Sequence, residues 1–416
     1  MKSRHILHAV AVAALLGCNL MPLGHWGIAT VHAADTVSPE VGAQLQAAED
    51  LMKAQKYREA LAKINLADAV SGKTAYDGFI IERMRGSAAA GAGDVDTAAK
   101  AFDAVIASNR LPADEQLKLM QAMTDACYRA KDYAQAQAWA QRYLKAGGTD
   151  PGIGQLLVQS YYLGGDYASA ARELQSQLAA VEKTGKSPGE ERLQLLANCY
   201  LKQNDNAGYS ATLEQLVTYY PKKEYWADLL SRLQRKPGFS DRLSLDVYRL
   251  MLATGNLGRA TDFMELAQLA LQAGYPAEAK KVMEQGFASG VLGSGPEVDR
   301  QKRLRDLADK QLAEDQKNPS VGDTQAGKPA DGAALVNNGY NEVINGQYDK
   351  GIALMQQGIS RGGLKHPDDA RLHLGIADLL AGHADEAAST LKAVQGSDGT
   401  QDLARLWLIK ARHSST

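Results

Sequence analysis

An all-α fold of stacked helical hairpins is the class this 416-residue sequence predicts. The first observation is a short recurring signature. It stands as Lys53-Ala54-Gln55-Lys56-Tyr57-Arg58-Glu59-Ala60, as Ala126-Cys127-Tyr128-Arg129-Ala130-Lys131-Asp132-Tyr133-Ala134-Gln135-Ala136, and as Gly164-Gly165-Asp166-Tyr167-Ala168-Ser169-Ala170. Each copy reads as the end of one helix, a tight turn, and a second helix opening with an aromatic and a small residue. The second observation is the period. The small residues fall at positions 60, 98, 136 and 170, a spacing of 34 to 38 residues, which is that of helical solenoids. The third is composition: Ala is abundant, and most of the 39 Gly fall near turn positions.

The elements follow in order from the turns. Tyr57 with Ala60, Val95 with Ala98, Tyr133 with Ala136 and Tyr167 with Ala170 each open a second helix. One helical turn later come Ile64, Phe102, Ala140 and Leu174. The small residue lets two helices approach, and the residue one turn on fills the gap between them. A fifth copy, Tyr200 to Asn206, closes at Pro221 and carries Tyr209 in place of the small residue. The middle breaks period: Lys222 to Arg242 is followed by a lone helix, Leu243 to Thr254. Then come a hairpin of Gly258–Ala273 and Pro276–Ser289, with Ala279 as its small residue, and a charged helix from Asp299 to Gln316. Residues 317–332 are rich in Gly, Pro and polar side chains, a linker signature. Beyond them, Asn338-Gly339-Tyr340 with Gly346-Gln347-Tyr348 opens another copy whose small residue is Gly351, and Leu403 to Ala411 caps the end. The expected organisation is therefore a leader at 1–33, repeats at 34–221, an irregular helical continuation at 222–316, a linker at 317–332 and a two-repeat module at 333–416.

These units resemble tetratricopeptide repeats, helix-turn-helix units of about 34 residues with small residues at fixed contacts. The residues that carry the resemblance are Tyr133 with Ala136, Tyr167 with Ala170, and Leu374-Gly375 followed by Gly382-His383-Ala384-Asp385-Glu386-Ala387. The resemblance covers about three-quarters of the chain beyond residue 33 and implies a right-handed solenoid that binds a partner. The stretches Tyr219–Trp226 and Gln272–Ala279 are similar to repeat proteins that accompany TonB-type energy-transducing systems in Gram-negative bacteria.

The first 33 residues read as a secretory signal. Lys2 and Arg4 precede an apolar run from Ala9 to Leu16, no acidic residue appears before Asp35, and Val31-His32-Ala33 offers small residues for cleavage. The alternative is a lipoprotein signal at Leu15-Leu16-Gly17-Cys18, which would anchor lipid on Cys18. After cleavage at Ala33 the protein is expected to be periplasmic or secreted, with no later apolar run of the ~18 residues that span a bilayer. Cleavage removes two cations and no anion, taking the formal net charge from −2 to −4. Such a chain has no bulk positive charge for nucleic acid.

Catalytic and metal chemistry is poorly supplied. Of eight His, His5, His8, His25 and His32 lie in the leader, and His366, His373, His383 and His413 lie near the C-terminus. Residues 34–365 thus hold none, which excludes a Ser-His-Asp or Cys-His site from the main array. Cys127 and Cys199, the cysteines beyond the leader, have no Cys/His zinc pattern around them. They read as small buried hydrophobes two repeats apart. His373 and His383 read as lone surface histidines. No cofactor is expected.

Two sets of residues are candidates for partner binding. Registered on the turns, the first helices place Arg83 with Ser87, Gln121 with Asp125, Gln155 with Gln159, and Gln194 with Asn198 at one position. Each pair is spaced i, i+4 and shares a helix face. Flanked by Arg129 and Lys202, they would form a polar ladder along a groove. Carboxamides both donate and accept, which suits a peptide backbone; the same residues also serve as ordinary solvated helix formers. The second set is 219–248, where Tyr219, Tyr220, Tyr225, Trp226, Phe239 and Tyr248 mix with Lys222, Lys223, Arg232, Arg235 and Lys236. Aromatics with Arg are what interface hot spots use, and Tyr225 with Trp226 lead this set. The competing reading is that the aromatics fill the irregular junction. The function expected is a periplasmic scaffold binding a protein or peptide in a concave helical groove. The alternatives are a membrane-tethered assembly factor for an envelope complex, such as a TonB-type system, and a glycan-cleaving solenoid enzyme. The last needs two facing acidic residues in a deep cleft, and no pair stands out.

Overall fold

The computed structural model describes residues 36–317 and 331–413, and every described element is helical. The expected leader, with Cys18 and Ala33, lies outside the described residues, as does the expected linker apart from its ends. The chain divides into two compact units at Gly164/Gly165, inside the array expected to run through 34–221.

The first unit contains α1 (Pro39–Lys53), α2 (Tyr57–Asp68), α3 (Ala75–Ala92), α4 (Val95–Ala107), α5 (Ala113–Arg129), α6 (Tyr133–Lys145) and α7 (Pro151–Leu163). Helices pair as α1 with α2, α3 with α4, and α5 with α6, and each pair packs on the next. Tyr57, Val95 and Tyr133 are the first residues of their helices, where the turn signature puts them. The turn itself has a repeated build. Gln55, Gly93 and Lys131 take the left-handed conformation, and the residue after each is the N-cap. Asp94 and Asp132 accept from the backbone N–H groups of Thr97 and Gln135 at 3.1 and 3.0 Å, satisfying a donor the helix cannot. Ala60, Ala98 and Ala136 are fully buried. Around them lie two apolar clusters: Val41, Leu45, Ile64 and Ile81 between the first pairs, and Met120, Met123, Trp139, Tyr143, Ile153 and Leu157 further on.

The second unit begins with α8 (Tyr167–Lys183), α9 (Glu190–Lys202) and α10 (Asn206–Tyr219), then α11 (Lys223–Gln234), a single 3-10 turn (Asp241–Leu243) and α12 (Ser244–Ala253). There follow α13 (Ala260–Gln272), α14 (Pro276–Ala288) and α15 (Val298–Lys317). Beyond residue 330 come α16 (Gly332–Ile344), α17 (Tyr348–Arg361), α18 (Pro367–Ala381), α19 (Ala384–Lys392) and α20 (Thr400–Arg412). Asp166 and Asp205 cap α8 and α10 as their counterparts do in the first unit, and Ala170 and Ala279 are fully buried. Gly351 meets Gly339 so closely that a Cβ on either would lie inside the van der Waals envelope of the other's carbonyl oxygen.

Tyr209 departs from the pattern because its ring is too large for a helix–helix contact. It is half-buried, and its hydroxyl donates to Asp228 at 2.6 Å while Arg232 lies over its ring at 4.0 Å. Close approach is made one residue earlier, at Gly208 against Tyr200.

The helices expected to form a C-terminal module lie in the same unit as 165–317. There α20 packs on α18 and α19, and also on α10 and α12.

Candidate functional site

The first-helix ladder is largely consumed by the protein itself. Arg83 on α3 reaches Glu115 on α5 at 3.2 Å. Gln121 on α5 donates to Asp150, the N-cap of α7, at 2.6 Å, and Tyr128 donates to Gln159 on α7 at 2.9 Å. In the second unit Gln194 on α9 donates to the Tyr225 hydroxyl on α11 at 2.6 Å. These bonds join first helices of successive hairpins, so the ladder positions stitch the stack. Asp125 is half-buried; burial, with Asp150 nearby, holds its carboxyl above the usual range despite Arg129. Gln155, Asn198, Arg129 and Lys202 remain exposed. Each unit carries its own part of the ladder: Arg83, Gln121, Gln155 and Gln159 in the first, Gln194 and Asn198 in the second.

The aromatic segment separates into two parts by role. Trp226 is 2 % exposed and is a core residue, which corrects its assignment to a docking surface. Tyr219 donates to Glu182 at 3.1 Å and Tyr220 to the Pro188 carbonyl at 2.8 Å, while Tyr225 donates to Glu190. Lys222 also pairs with Glu190, at 2.6 Å. Phe239 packs over Gly399. These aromatics fill the junction where the period breaks. The basic residues of the segment do something else.

Arg232, Arg235 and Lys236, at the end of α11, form one wall of a cleft of about 850 Å³. The other walls are α10, through Asn206, Ala207, Ser210, Ala211 and Glu214, and α20, through Asp402, Arg405 and Leu406. Leu229, Leu233 and Leu406 are buried and form an apolar floor, with the exposed Ala207 and Ala211 beside them. The rim is charged. Arg405 grips Glu214 through two bonds of 2.8 Å and Asp402 through a third of 2.8 Å. Lys236 pairs with Asp402 at 2.6 Å. Burial pushes the Asp402 carboxyl up, but Lys236 and Arg405 outweigh it and hold it below its ordinary range. Both carboxylates of the cleft are therefore held in ion pairs. That does not suit the protonated acid a glycan-cleaving pair requires.

The position of α20 is fixed by its N-terminal approach. Ser240 N–H donates to the Asp398 carbonyl at 2.9 Å. Arg242 holds Asp369 through bonds of 2.9 and 2.7 Å and Asp398 at 2.7 Å. The Thr400 hydroxyl and Arg242 bring the Asp398 carboxyl down to about 2. These contacts join residues more than a hundred positions apart, so sequence periodicity carries no trace of the cleft.

A buried ionic network links α12, α14 and α18. Arg249 on α12 donates to both oxygens of Glu278 on α14 at 2.8 and 2.7 Å, and to Asp246 at 2.8 Å. Its guanidinium lies over the rings of Tyr275 and Tyr340 at 4.9 and 4.5 Å. His373 on α18 is 2.9 Å from Asp246 and packs against Tyr340. His373 is thus a partly buried partner of a carboxylate, not the lone surface histidine expected. Its aspartate stands 127 positions away, which no local pattern reveals. Burial raises the Asp246 carboxyl, yet His373 and Arg249 more than offset this and hold it at about 2.

Among the described residues no group of three or more His, Cys, Asp or Glu is placed to hold a metal ion, and no helix is long and apolar enough to cross a membrane. Cys127 and Cys199 are both buried with free thiols, and burial pushes each up to about 11.

Comparison with known proteins bears on the family. No curated protein matches the chain significantly. Among solved structures, the TPR domain of P58(IPK) is 17% identical, with 90% of this chain and 97% of that chain covered and a TM-score of 0.22. Yeast Tom70 is 11% identical, with 90% and 96% covered and a TM-score of 0.20. Naa15/Naa10 bound to HypK-THB is 17% identical; 87% of this chain and 58% of that chain are covered, at a TM-score of 0.27. The family model for the tetratricopeptide repeat matches residues 83–151. That match runs through the α3–α6 hairpins, and their turn build, N-cap and buried small residue recur before and after it. Residues 83–151 are thus similar to the tetratricopeptide repeat, and the helical hairpins on either side share that build.

Proposed function

We propose that this protein is an exported scaffold that holds a protein or peptide partner, and that the partner seats in the cleft between α10, α11 and α20. The tetratricopeptide repeat is an interaction scaffold whose stacked hairpins expose extended binding surfaces. The observation that carries the reading is the cleft. Its volume falls within the ~300–1,000 Å³ of typical ligand sites, and an apolar floor with a few convergent polar groups is the usual lining of such sites. The engaged carboxylates favour binding over catalysis.

The test is capture from a native envelope fraction with the purified protein as bait. Ala207→Trp with Ala211→Trp fills the cleft from exposed positions on α10. Each change costs the helix less than ~0.7 kcal/mol in propensity, so the fold should survive. A partner held by the wild type and lost by this variant supports the reading. A partner held equally by both puts the site elsewhere. Export is tested by the intact mass of the mature protein: a chain beginning after Ala33 fits the secreted form, and lipid on Cys18 the membrane-tethered one.

A further inference from the structure

The charges around the cleft narrow the chemistry of its occupant. Four cations line it, Arg232, Arg235, Lys236 and Arg405, against two carboxylates, Glu214 and Asp402. Both carboxylates are already neutralised by Arg405 and Lys236. Arg232 is held by Asp228 at 2.8 Å and Asn206 at 3.2 Å, with Tyr209 beneath it. Arg235 differs. It is exposed, and its guanidinium has no ion pair or hydrogen bond among the described residues. Lys236 spends one contact on Asp402 and leaves its side chain 54% exposed. The cleft therefore presents one unpaired guanidinium, Arg235, at the end of α11, with the half-exposed Lys236 ammonium next to it, directly beside an apolar floor.

We infer that the occupant is an acidic peptide segment of a partner protein, with a carboxylate for Arg235 and Lys236 and an apolar side chain for the Ala207–Ala211–Leu406 floor. This rests on the cleft being the partner site. A guanidinium presents a planar fork that matches a carboxylate through two parallel bonds, and a free one at a cleft rim selects for that group. A basic segment would meet Arg235 and Lys236 with like charge, which costs specificity and on-rate. The surface is distinct from the first-helix ladder. It exists only because α20 returns to α10 and α11.

The experiment is fluorescence anisotropy of short labelled peptides with the full mature chain. One peptide alternates Glu with Leu; the others carry Gln or Lys in place of Glu. The Glu peptide should bind most tightly and weaken as salt rises. Arg235→Glu should weaken it about tenfold or more, whereas Arg303→Glu, an exposed site on α15, should leave it unchanged. Ala207→Trp/Ala211→Trp should abolish binding. Equal binding of the Glu and Gln peptides, both blocked by the Trp variant, would overturn the acidic specificity and leave the cleft as the site. Glu-peptide binding untouched by the Trp variant would remove the cleft itself. Equal losses at Arg235 and Arg303 would show diffuse attraction and overturn the proposal, as would no binding of any peptide.

Discussion

Removing Arg249 should unfold the second unit more readily than any surface change of equal size. The side chain is buried, as are Asp246 and Glu278, which it holds at 2.7–2.8 Å. Arg249→Met keeps much of the volume and removes the charge, leaving Glu278 without its cation in the interior and Asp246 with His373 alone. Breaking one partner of a buried pair typically costs about 3–5 kcal/mol. For a body of this size each kcal/mol moves the midpoint by about 2–4 °C, so a fall of about 6–20 °C is expected. The cause is separable from packing. Asp246→Leu/Arg249→Met/Glu278→Met replaces the whole cluster with apolar groups, and buried ionic clusters so replaced are often neutral or stabilised. Thermal and urea unfolding, followed by near-ultraviolet dichroism from the Tyr275–Tyr340 pair, gives both numbers. The triple variant should recover most of what the single one loses. If Arg249→Met costs no more than Arg300→Ala on exposed α15, the network is not a stabilising element. If the triple variant is as unstable as the single one, Arg249 acts as a spacer between the two tyrosine rings and the charge argument fails.

Four other expectations follow from the same structure. Ala136→Leu should cost about 1–3 kcal/mol by overpacking a fully buried helix contact, while Ala138→Leu on the exposed face of α6 should be near neutral; equal melting shifts would show the faces are misassigned. Asp246 and Asp398, both held at about 2 against an ordinary 3.8, contribute stability that is complete above about pH 4 and lost as pH falls towards 2. Acid titration should therefore show the second unit loosening in that window, and a flat profile from pH 5 to 2 would contradict the assignment. The Cys127 and Cys199 thiols, buried and pushed up to about 11, should resist alkylation in the native protein at pH 8 and react once it is denatured; rapid native labelling would place them at the surface. Gln121→Ala should cost about 0.5–1.5 kcal/mol by freeing Asp150, whereas Gln155→Ala should change stability little, which urea midpoints of the two variants can compare.

The repeat units were legible because each is specified locally. Left-handed residue, capping Asp, aromatic and small residue lie within a few positions of one another, as in Lys131-Asp132-Tyr133 with Ala136. Both the hydrogen bond and the helix contact follow from that spacing. The ladder was legible as a face but not as a role. Sequence places Gln121, Gln159 and Gln194 on one side of their helices, yet only the folded structure shows that Asp150, Tyr128 and Tyr225 take their bonds. Tyr225 and Trp226 are adjacent, and helical geometry sends one to Glu190 and the other into the core. The composition of the segment could not separate them.

The cleft escaped the sequence for a deeper reason. A periodic array repeats one interface, and whatever is repeated is visible as a period. A site that occurs once must come from where the period fails, and its partners are then set by tertiary return. Here the failure begins at Tyr209, whose ring displaces the usual small residue and turns towards Asp228 and Arg232. That contact holds the start of α10 against α11 and positions Arg232 at the cleft wall. Arg242 then holds Asp369 on α18 and Thr400 at the start of α20, Ser240 donates to the Asp398 carbonyl, and Arg405 on α20 grips Glu214, across separations of 127 to 191 positions. The irregular middle is therefore the part of the chain that gives the second unit a three-walled cleft. A regular continuation through Pro221 would have repeated the ladder and left α11 without a facing wall.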